Sequence, residues 1–375
     1  MNLKSLLSSF FLLFVLTNMY SQTTVVDSFL YGGISRDYRI YIPSVYNGIN
    51  PVPLVFNLHG YGSVNSAQEV YGDFRPIADT ANFIIVAPNG SFDGSNKRFW
   101  NTFGGSSVDD IGFISALIDT VSAYYNIDTT RIYSTGMSNG GFMSYQLACF
   151  LGNRITAIAS VTGTMTHFYF GTCTPPKPTP VMQIHGTLDA TVPYVGNLAF
   201  VHVDTLVNFW VNFNNCSPTP IYNLLPDIVP TDGCVAEHYA YQNGTNNSSV
   251  ELYKIIGGGH SWPGAPVNIN ITNMDFSASK EIWRFFSQYK LDQLNNINIK
   301  IQPNTIRVFP NPSNNTFSVW FNNNETRNIN VYNTLGMLVY SISTNDQQIT
   351  IELEEKGVYF LLPDYNHRAI KMVKQ

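Results

Sequence analysis

A chain of 375 residues is longer than a single hydrophobic core usually supports, which favours one large folded unit followed by a smaller one. Charged residues make up 12% of it, against about 25% in an average globular protein, and the net charge is −5. So weak a field, with no basic excess, excludes the electrostatic grip on phosphate that nucleic-acid and anionic-lipid binding require.

The chain opens with Lys4, then the apolar run Leu6 to Leu16 interrupted only by Ser8 and Ser9, then the small residue Ser21 before Gln22. This layout predicts a signal peptide over residues 1–21, because the run is shorter than the roughly 20 apolar residues that span a bilayer. Export changes the reading of the four cysteines, since disulfides persist outside the cytoplasm. Of the three connectivities that an even count allows, Cys149–Cys173 with Cys216–Cys234 closes two short local loops and is the one expected. Their wide separation, with no C-x-x-C pair and no H-E-x-x-H helix, argues against a metal site.

From Val25 to Tyr289 short β-branched or aromatic runs alternate with helical patterns. The runs are Tyr38 to Ile42, Pro53 to Leu58, Phe83 to Ala87, Arg131 to Ser134, Ile155 to Val161, Pro180 to Ile184 and Val250 to Ile256. The clearest helix begins at the N-cap residue Asp109 and places Ile111, Ile114, Ile118, Val121 and Tyr125 on one stripe; a second runs from about Asn273 to Tyr289. Alternation of this kind predicts an α/β fold with a mainly parallel sheet covered on both faces, and such sheets carry their sites at the carboxyl ends of the strands. Residues 291–304 are polar and without a strong period, and read as a linker. From 305 to 375 short alternating strands separated by Asn, Gly and Asp turns predict a small all-β sandwich: Thr316 to Phe321, Ile329 to Tyr332, Met337 to Ser341, Ile349 to Leu353 and Val358 to Leu362.

Gly136-Met137-Ser138-Asn139-Gly140 follows one predicted strand and opens a helix, the setting of a nucleophile elbow. The pattern alone is weak; its position gives it weight. A serine hydroxyl needs a base and an acid that orients the base, and in this fold they follow in the order Ser, Asp or Glu, His. Asp189 comes after the predicted strand ending at Ile184, and His260 after the one ending at Ile256. Asp109 and Asp110 suit the helix start, His185 a satisfied core position, and His59 a loop brace, while His167, His202, His238 and His367 lie in no loop that follows the sheet's last strand. The oxyanion of acyl transfer needs paired N–H donors, expected from Asn139 and from Tyr61 in the loop His59-Gly60-Tyr61-Gly62. Trp100, Tyr194 and Trp262, with Phe99, stand near these loops and are expected to wall an acyl pocket.

Leu58-His59-Gly60-Tyr61-Gly62, Val108-Asp109-Asp110, Thr135 to Gly141, Ile184 to Asp189 with Val192-Pro193-Tyr194, and Gly257 to Gly264 together resemble the esterase and polyhydroxybutyrate depolymerase family, which includes feruloyl and acetylxylan esterases. The resemblance covers about residues 25–290. It implies an α/β-hydrolase esterase domain over 22–290, the triad Ser138, Asp189 and His260 acting without a metal or organic cofactor, and both proposed disulfides. Val308 to Pro312, Val331-Tyr332-Asn333 with Leu335-Gly336, Gly357 to Phe360 and the last five residues resemble the C-terminal sorting domain of type IX secretion. Pro363-Asp364 departs from that pattern, which leaves the strand count open. The sorting domain implies type IX machinery as a partner and a secreted or cell-surface destination through the periplasm of a Gram-negative bacterium.

The expected substrate is a feruloyl or acetyl ester of plant cell-wall polysaccharide, preferred to polyhydroxybutyrate because the loops show no apolar patch for an insoluble polymer. A serine peptidase and a non-catalytic surface-binding protein are the alternatives from other classes; the intact triad and the absence of an N-terminal propeller weigh against them.

Overall fold

The computed structural model describes residues 22–267, 269–291, 306–321, 326–334, 336–363 and 370–375. The signal peptide and all of the linker except Leu291 lie outside the described residues. The chain divides into two compact units, one up to residue 297 and the other from 298.

The first unit contains β1 (Thr23–Tyr31), β2 (Ile34–Ile42), β3 (Val52–Leu58), α1 (Asn65–Tyr71), α2 (Arg75–Ala81), β4 (Ile84–Pro88), β5 (Ser91–Phe92), β6 (Arg98–Phe99), α3 (Asp110–Tyr124), β7 (Ile127–Met137), α4 (Asn139–Phe150), β8 (Ala157–Val161), α5 (His167–Thr172), β9 (Val181–Gly186), α6 (Val203–Phe213), β10 (Ile221–Leu224), β11 (Val235–Tyr241), β12 (Val250–Ile256) and α7 (Ala278–Phe286). Ten strands form one sheet in the order β1-β2-β4-β3-β7-β8-β9-β12-β11-β10, while β5 and β6 make a separate hairpin. The six central strands, β4 to β12 in that order, run parallel, and the two pairs at the edges are antiparallel.

Every residue of β3, β4, β8 and β9 is buried, as parallel strands covered on both faces require. One face packs on α3, α4 and α6 through Phe113, Leu117, Leu147, Leu206 and Trp210; the other packs on α2 and α7 through Ala78, Ile282, Phe285 and Phe286. Helix α3 starts as its sequence predicts, with the Asp109 side chain accepting from the Gly112 N–H. Asp110, one residue on, is buried against Arg36 at 2.6 Å and also accepts from the Asn101 N–H. At the edges, β1, β10 and β11 are the strands of this sheet that the sequence left unassigned: they are largely exposed or half-buried, so their apolar runs are diluted by polar residues.

Cys149 and Cys173 form a disulfide joining α4 to the end of α5. Closing a loop of 24 residues' separation should stabilise the unit by about 3 kcal/mol, so Cys149→Ser with Cys173→Ser is expected to lower the urea midpoint and, because the unfolded chain is freer to expand, to steepen the slope slightly. The second expected bridge is corrected: Cys216 and Cys234 are free and buried. They belong to the apolar clusters on opposite faces of the sheet. Cys216 lies by Ser248, before β12 begins, and Cys234 lies by Gly257, after β12 ends. Seven residues of strand, roughly 20 Å, therefore separate them, and no disulfide spans that distance. Shortness of the loop in sequence says nothing about which side of a sheet each end reaches.

The second unit contains β13 (Arg307–Phe309), β14 (Thr316–Trp320), β15 (Arg327–Asn333), β16 (Leu338–Thr344), β17 (Gln348–Glu352), β18 (Gly357–Pro363) and β19 (Ile370–Lys374). They form two antiparallel sheets, β13-β14-β17 and β16-β15-β18-β19. Phe317, Val319, Ile351, Ile329, Val331, Leu361 and Met372 from the two inner faces share one core, which makes a small sandwich. Pro363 closes β18, and Asp364 lies outside the described residues.

Candidate active site

Ser138, Asp189 and His260 all stand just past the carboxyl ends of parallel strands: β7, β9 and β12. The loop after β3 reaches the same end, next to β7 in the sheet. Ser138 is held at φ 54° and ψ −120°, a conformation a β-carbon disfavours, with its N–H bound to the Val161 carbonyl at 2.8 Å and its carbonyl accepting from Phe142. Glycine makes the turn possible: a β-carbon at Gly140 would stand 2.2 Å from the Leu58 carbonyl oxygen, and one at Gly136 would stand 2.6 Å from it. The strand can therefore turn into α4 directly against the β3 loop. The Asn139 amide, at the first position of α4, has no acceptor within the helix, as helix geometry dictates.

His260 Nδ1 lies 2.7 Å from Asp189 Oδ2, while Asp189 Oδ1 accepts from the Thr191 and Val192 N–H groups. His185 Nε2 lies 3.3 Å from Asp189 Oδ2 and donates to the Val192 carbonyl, with Nδ1 accepting from Gln183. Burial pushes the Asp189 carboxyl up, but hydrogen bonds from His185 and His260 outweigh it and hold the group well below the usual carboxylate range. The ionised carboxylate fixes a proton on His260 Nδ1 and leaves Nε2 as the acceptor.

Ser138 and His260 border one cavity of about 550 Å³, lined also by Gly60, Tyr61, Ser63, Ala67, Gln68, Val70, Tyr71, Met137, Thr191, Val267, Ile269 and Asn270. Tyr61 is on its wall.

None of the three expected pocket aromatics is on that wall. Trp100 is fully buried: its backbone N–H and carbonyl bond the Asn139 side chain, and its indole donates to the His59 carbonyl. Trp262 is 1% exposed, donates its backbone N–H to the Tyr71 hydroxyl oxygen, and donates its indole N–H to Ser279. The Tyr194 hydroxyl donates to Asp204 at 2.5 Å while its ring stands edge-on to His185. All three are struts behind the loops; proximity in sequence does not tell which face of a loop a ring takes. The Asn139 side chain, which also reaches Thr102 Oγ1 at 2.6 Å, is a further strut, expected beforehand only as an N–H donor.

The cavity's mouth corrects another expectation. Tyr61 and Val70 at 47% exposure, Val267 at 55% and Ile269 at 60% surround it with apolar surface. These residues come from two stretches nearly 200 positions apart, so no window of sequence displays the patch.

His59 is a brace, as expected of its place in the loop after β3. Its Nδ1 donates to the Gly60 carbonyl and its Nε2 accepts from the Gly90 N–H, and burial lowers its pKa to about 4. Between pH 6.5 and 4 the unfolded chain holds a proton here that the folded chain does not, so stability rises with pH through that window. Acidification from 6.5 to 4 is therefore expected to cost on the order of 3 kcal/mol at this residue. Urea unfolding against pH should show that slope, and His59→Asn should flatten it.

Residues 36–193 match the family described as esterase PHB depolymerase, a stretch that contains Ser138 and Asp189 and ends before His260. Residues 307–374 match the secretion system C-terminal sorting domain. Residues 36–193 thus resemble an esterase domain of the PHB depolymerase family. Relatives of this esterase domain include a bifunctional acetylxylan esterase/xylanase of Neocallimastix patriciarum, 28% identical over 69% of this chain and 34% of its own. Feruloyl esterase D of Neurospora crassa is 28% identical over 68% of this chain and 83% of its own, and feruloyl esterase C of Emericella nidulans is 33% identical over 50% and 64%. The chain thus spans about a third of the first relative and 64% of the last. Among solved structures, the acetyl xylan esterase from Aspergillus awamori superposes with a TM-score of 0.51 over 70% of this chain and 99% of its own, at 13% identity. That likeness shows the α/β-hydrolase fold.

Proposed function

We propose that this protein is a secreted serine carboxylic-ester hydrolase that acts through an acyl-enzyme on a feruloyl or acetyl ester of plant cell-wall polysaccharide. The observation that carries the reading is the buried Asp189 carboxylate bonded at 2.7 Å to His260, on a cavity that His260 shares with Ser138 at its strained turn. Ser138 Oγ attacks the ester carbonyl as His260 Nε2 takes its proton; the tetrahedral oxyanion is met by the Tyr61 and Asn139 N–H groups. His260 then protonates the departing alcohol, and water repeats the sequence on the acyl-enzyme. The feruloyl and acetylxylan esterases among the relatives favour a carbohydrate-linked ester. The sorting domain favours passage through the periplasm of a Gram-negative bacterium and type IX export to the cell surface or medium.

The exposed apolar rim favours a second reading, polyhydroxybutyrate depolymerisation, since an insoluble polyester needs such a surface. One panel separates the readings: purified protein with methyl ferulate, acetylated xylan, a polyhydroxybutyrate suspension and casein. Release of ferulate or acetate without clearing of the suspension is expected. Clearing with neither release would favour the depolymerase, and casein cleavage alone would make the protein a peptidase.

A further inference from the structure

His185 lies near the carboxyl end of β9, fully buried, four residues before Asp189. Its neighbours fix where its proton sits. The Gly163 carbonyl can only accept, so the Gln183 amide must present Nε2 to it, at 2.9 Å, which turns Oε1 to the Tyr145 hydroxyl at 2.7 Å. The same Nε2 lies 2.9 Å from His185 Nδ1, which must therefore accept its second proton. His185 then carries its own proton on Nε2, where the Val192 carbonyl accepts it at 2.8 Å and Asp189 Oδ2 stands 3.3 Å away. Tyr145, Gln183 and His185 are all fully buried, so this chain is sealed from bulk solvent.

Val192 alone would satisfy a core histidine. His185 has a second acceptor in Asp189 Oδ2, the oxygen that holds His260 Nδ1 at 2.7 Å. Asp189 Oδ1 is taken by two backbone N–H groups, so each carboxylate oxygen faces two donors and the group cannot swing. A cation in the place of His185 would draw on the charge that stabilises an imidazolium on His260 as Ser138 loses its proton. A neutral N–H orients the oxygen and leaves most of that charge to His260. We propose that His185 is a positioning residue for the acid of the triad, held neutral with its proton on Nε2 by Gln183, and that it orients Asp189 Oδ2 without competing for its charge. The proposal rests on the ester-hydrolase reading and adds to it the buried chain of Tyr145, Gln183 and His185. Besides Asp189 and His260, Tyr194 faces His185 with its ring edge-on at 5.9 Å; that ring meets His202 at 5.7 Å, and its hydroxyl is bonded to Asp204. Lys254, the register partner of His185 on β12, holds its ammonium 5.2 Å from the centre of the Tyr194 ring.

The test is the pH profile of kcat/KM for p-nitrophenyl acetate in the parent, His185→Leu and His185→Gln, the last keeping an N–H donor at about the position of Nε2. In His185→Leu the carboxylate loses a donor and holds the His260 imidazolium more tightly, so the acidic limb should move up by about 0.5 to 1 pH unit, the size of one hydrogen bond. A merely loosened loop would lower kcat and leave the limb in place. His185→Gln should return the limb to the parent's position. A limb unmoved in a folded His185→Leu, or moved as far in His185→Gln, overturns the proposal. If neither variant folds, nitrogen-15 NMR of histidine-labelled parent decides: the ring proton of His185 is expected on Nε2 at the pH of maximal activity, and a proton on Nδ1 there overturns the proposal while ester hydrolysis stands. Failure of the parent to cleave p-nitrophenyl acetate removes the ester-hydrolase reading itself, and the role given to His185 with it.

Discussion

Ser138→Ala should lower kcat for p-nitrophenyl acetate by on the order of 10⁴-fold or more, while the thermal midpoint stays within a few degrees of the parent. The loss is large because, among the described residues of the cavity wall, Ser63 and Thr191 are the other aliphatic hydroxyls, and neither is held at a strained strand-to-helix turn as Ser138 is. The fold is spared because Ser138 contributes its backbone to the turn, through Val161 and Phe142, and alanine keeps both bonds. A residual rate within tenfold of the parent would mean that the nucleophile is elsewhere.

Asp189→Asn should cost about 10³- to 10⁴-fold in kcat, and the cause is a proton in the wrong place. Asp189 Oδ1 accepts from two backbone N–H groups, so in the variant that position must remain the amide oxygen. The amide nitrogen then takes the place of Oδ2 and faces His260 Nδ1 as a donor. His260 must answer by carrying its proton on Nε2, which disables it as the base toward Ser138. The same carboxylate links activity to stability: because its folded pKa is depressed, its contribution is fully present above the unfolded value of about 4 and is lost as pH falls further. Kinetics on p-nitrophenyl acetate beside circular dichroism check both halves; an active Asp189→Asn would show that another group orients His260.

The sequence read well where one physical rule dominated. The parallel strands were visible because burial on both faces leaves nearly unbroken apolar runs, as in Pro53 to Leu58 and Phe83 to Ala87. The meeting of the loops that carry Ser138, Asp189 and His260 at one end of the sheet was legible from chain order, since each loop follows its strand directly. Illegible features depended on the third dimension. Cys216 and Cys234 look like neighbours until the sheet separates them. Trp100, Tyr194 and Trp262 look like walls until their polar atoms are traced to Asn139, Asp204 and Ser279. The cavity's own lining, from Gln68 and Tyr71 on α1 to Val267 and Ile269 after His260, has no motif, because apolar and amide residues on a short helix and a loop resemble ordinary packing.

The most direct test of the account is to trap the covalent intermediate. The protein is mixed with excess p-nitrophenyl acetate, quenched in acid within the first turnover, digested and sequenced by mass spectrometry. The account predicts a burst of p-nitrophenol near one equivalent and an added acetyl group on Ser138 alone. Turnover with no acyl-peptide, or an acyl group consistently found on another residue, would contradict it.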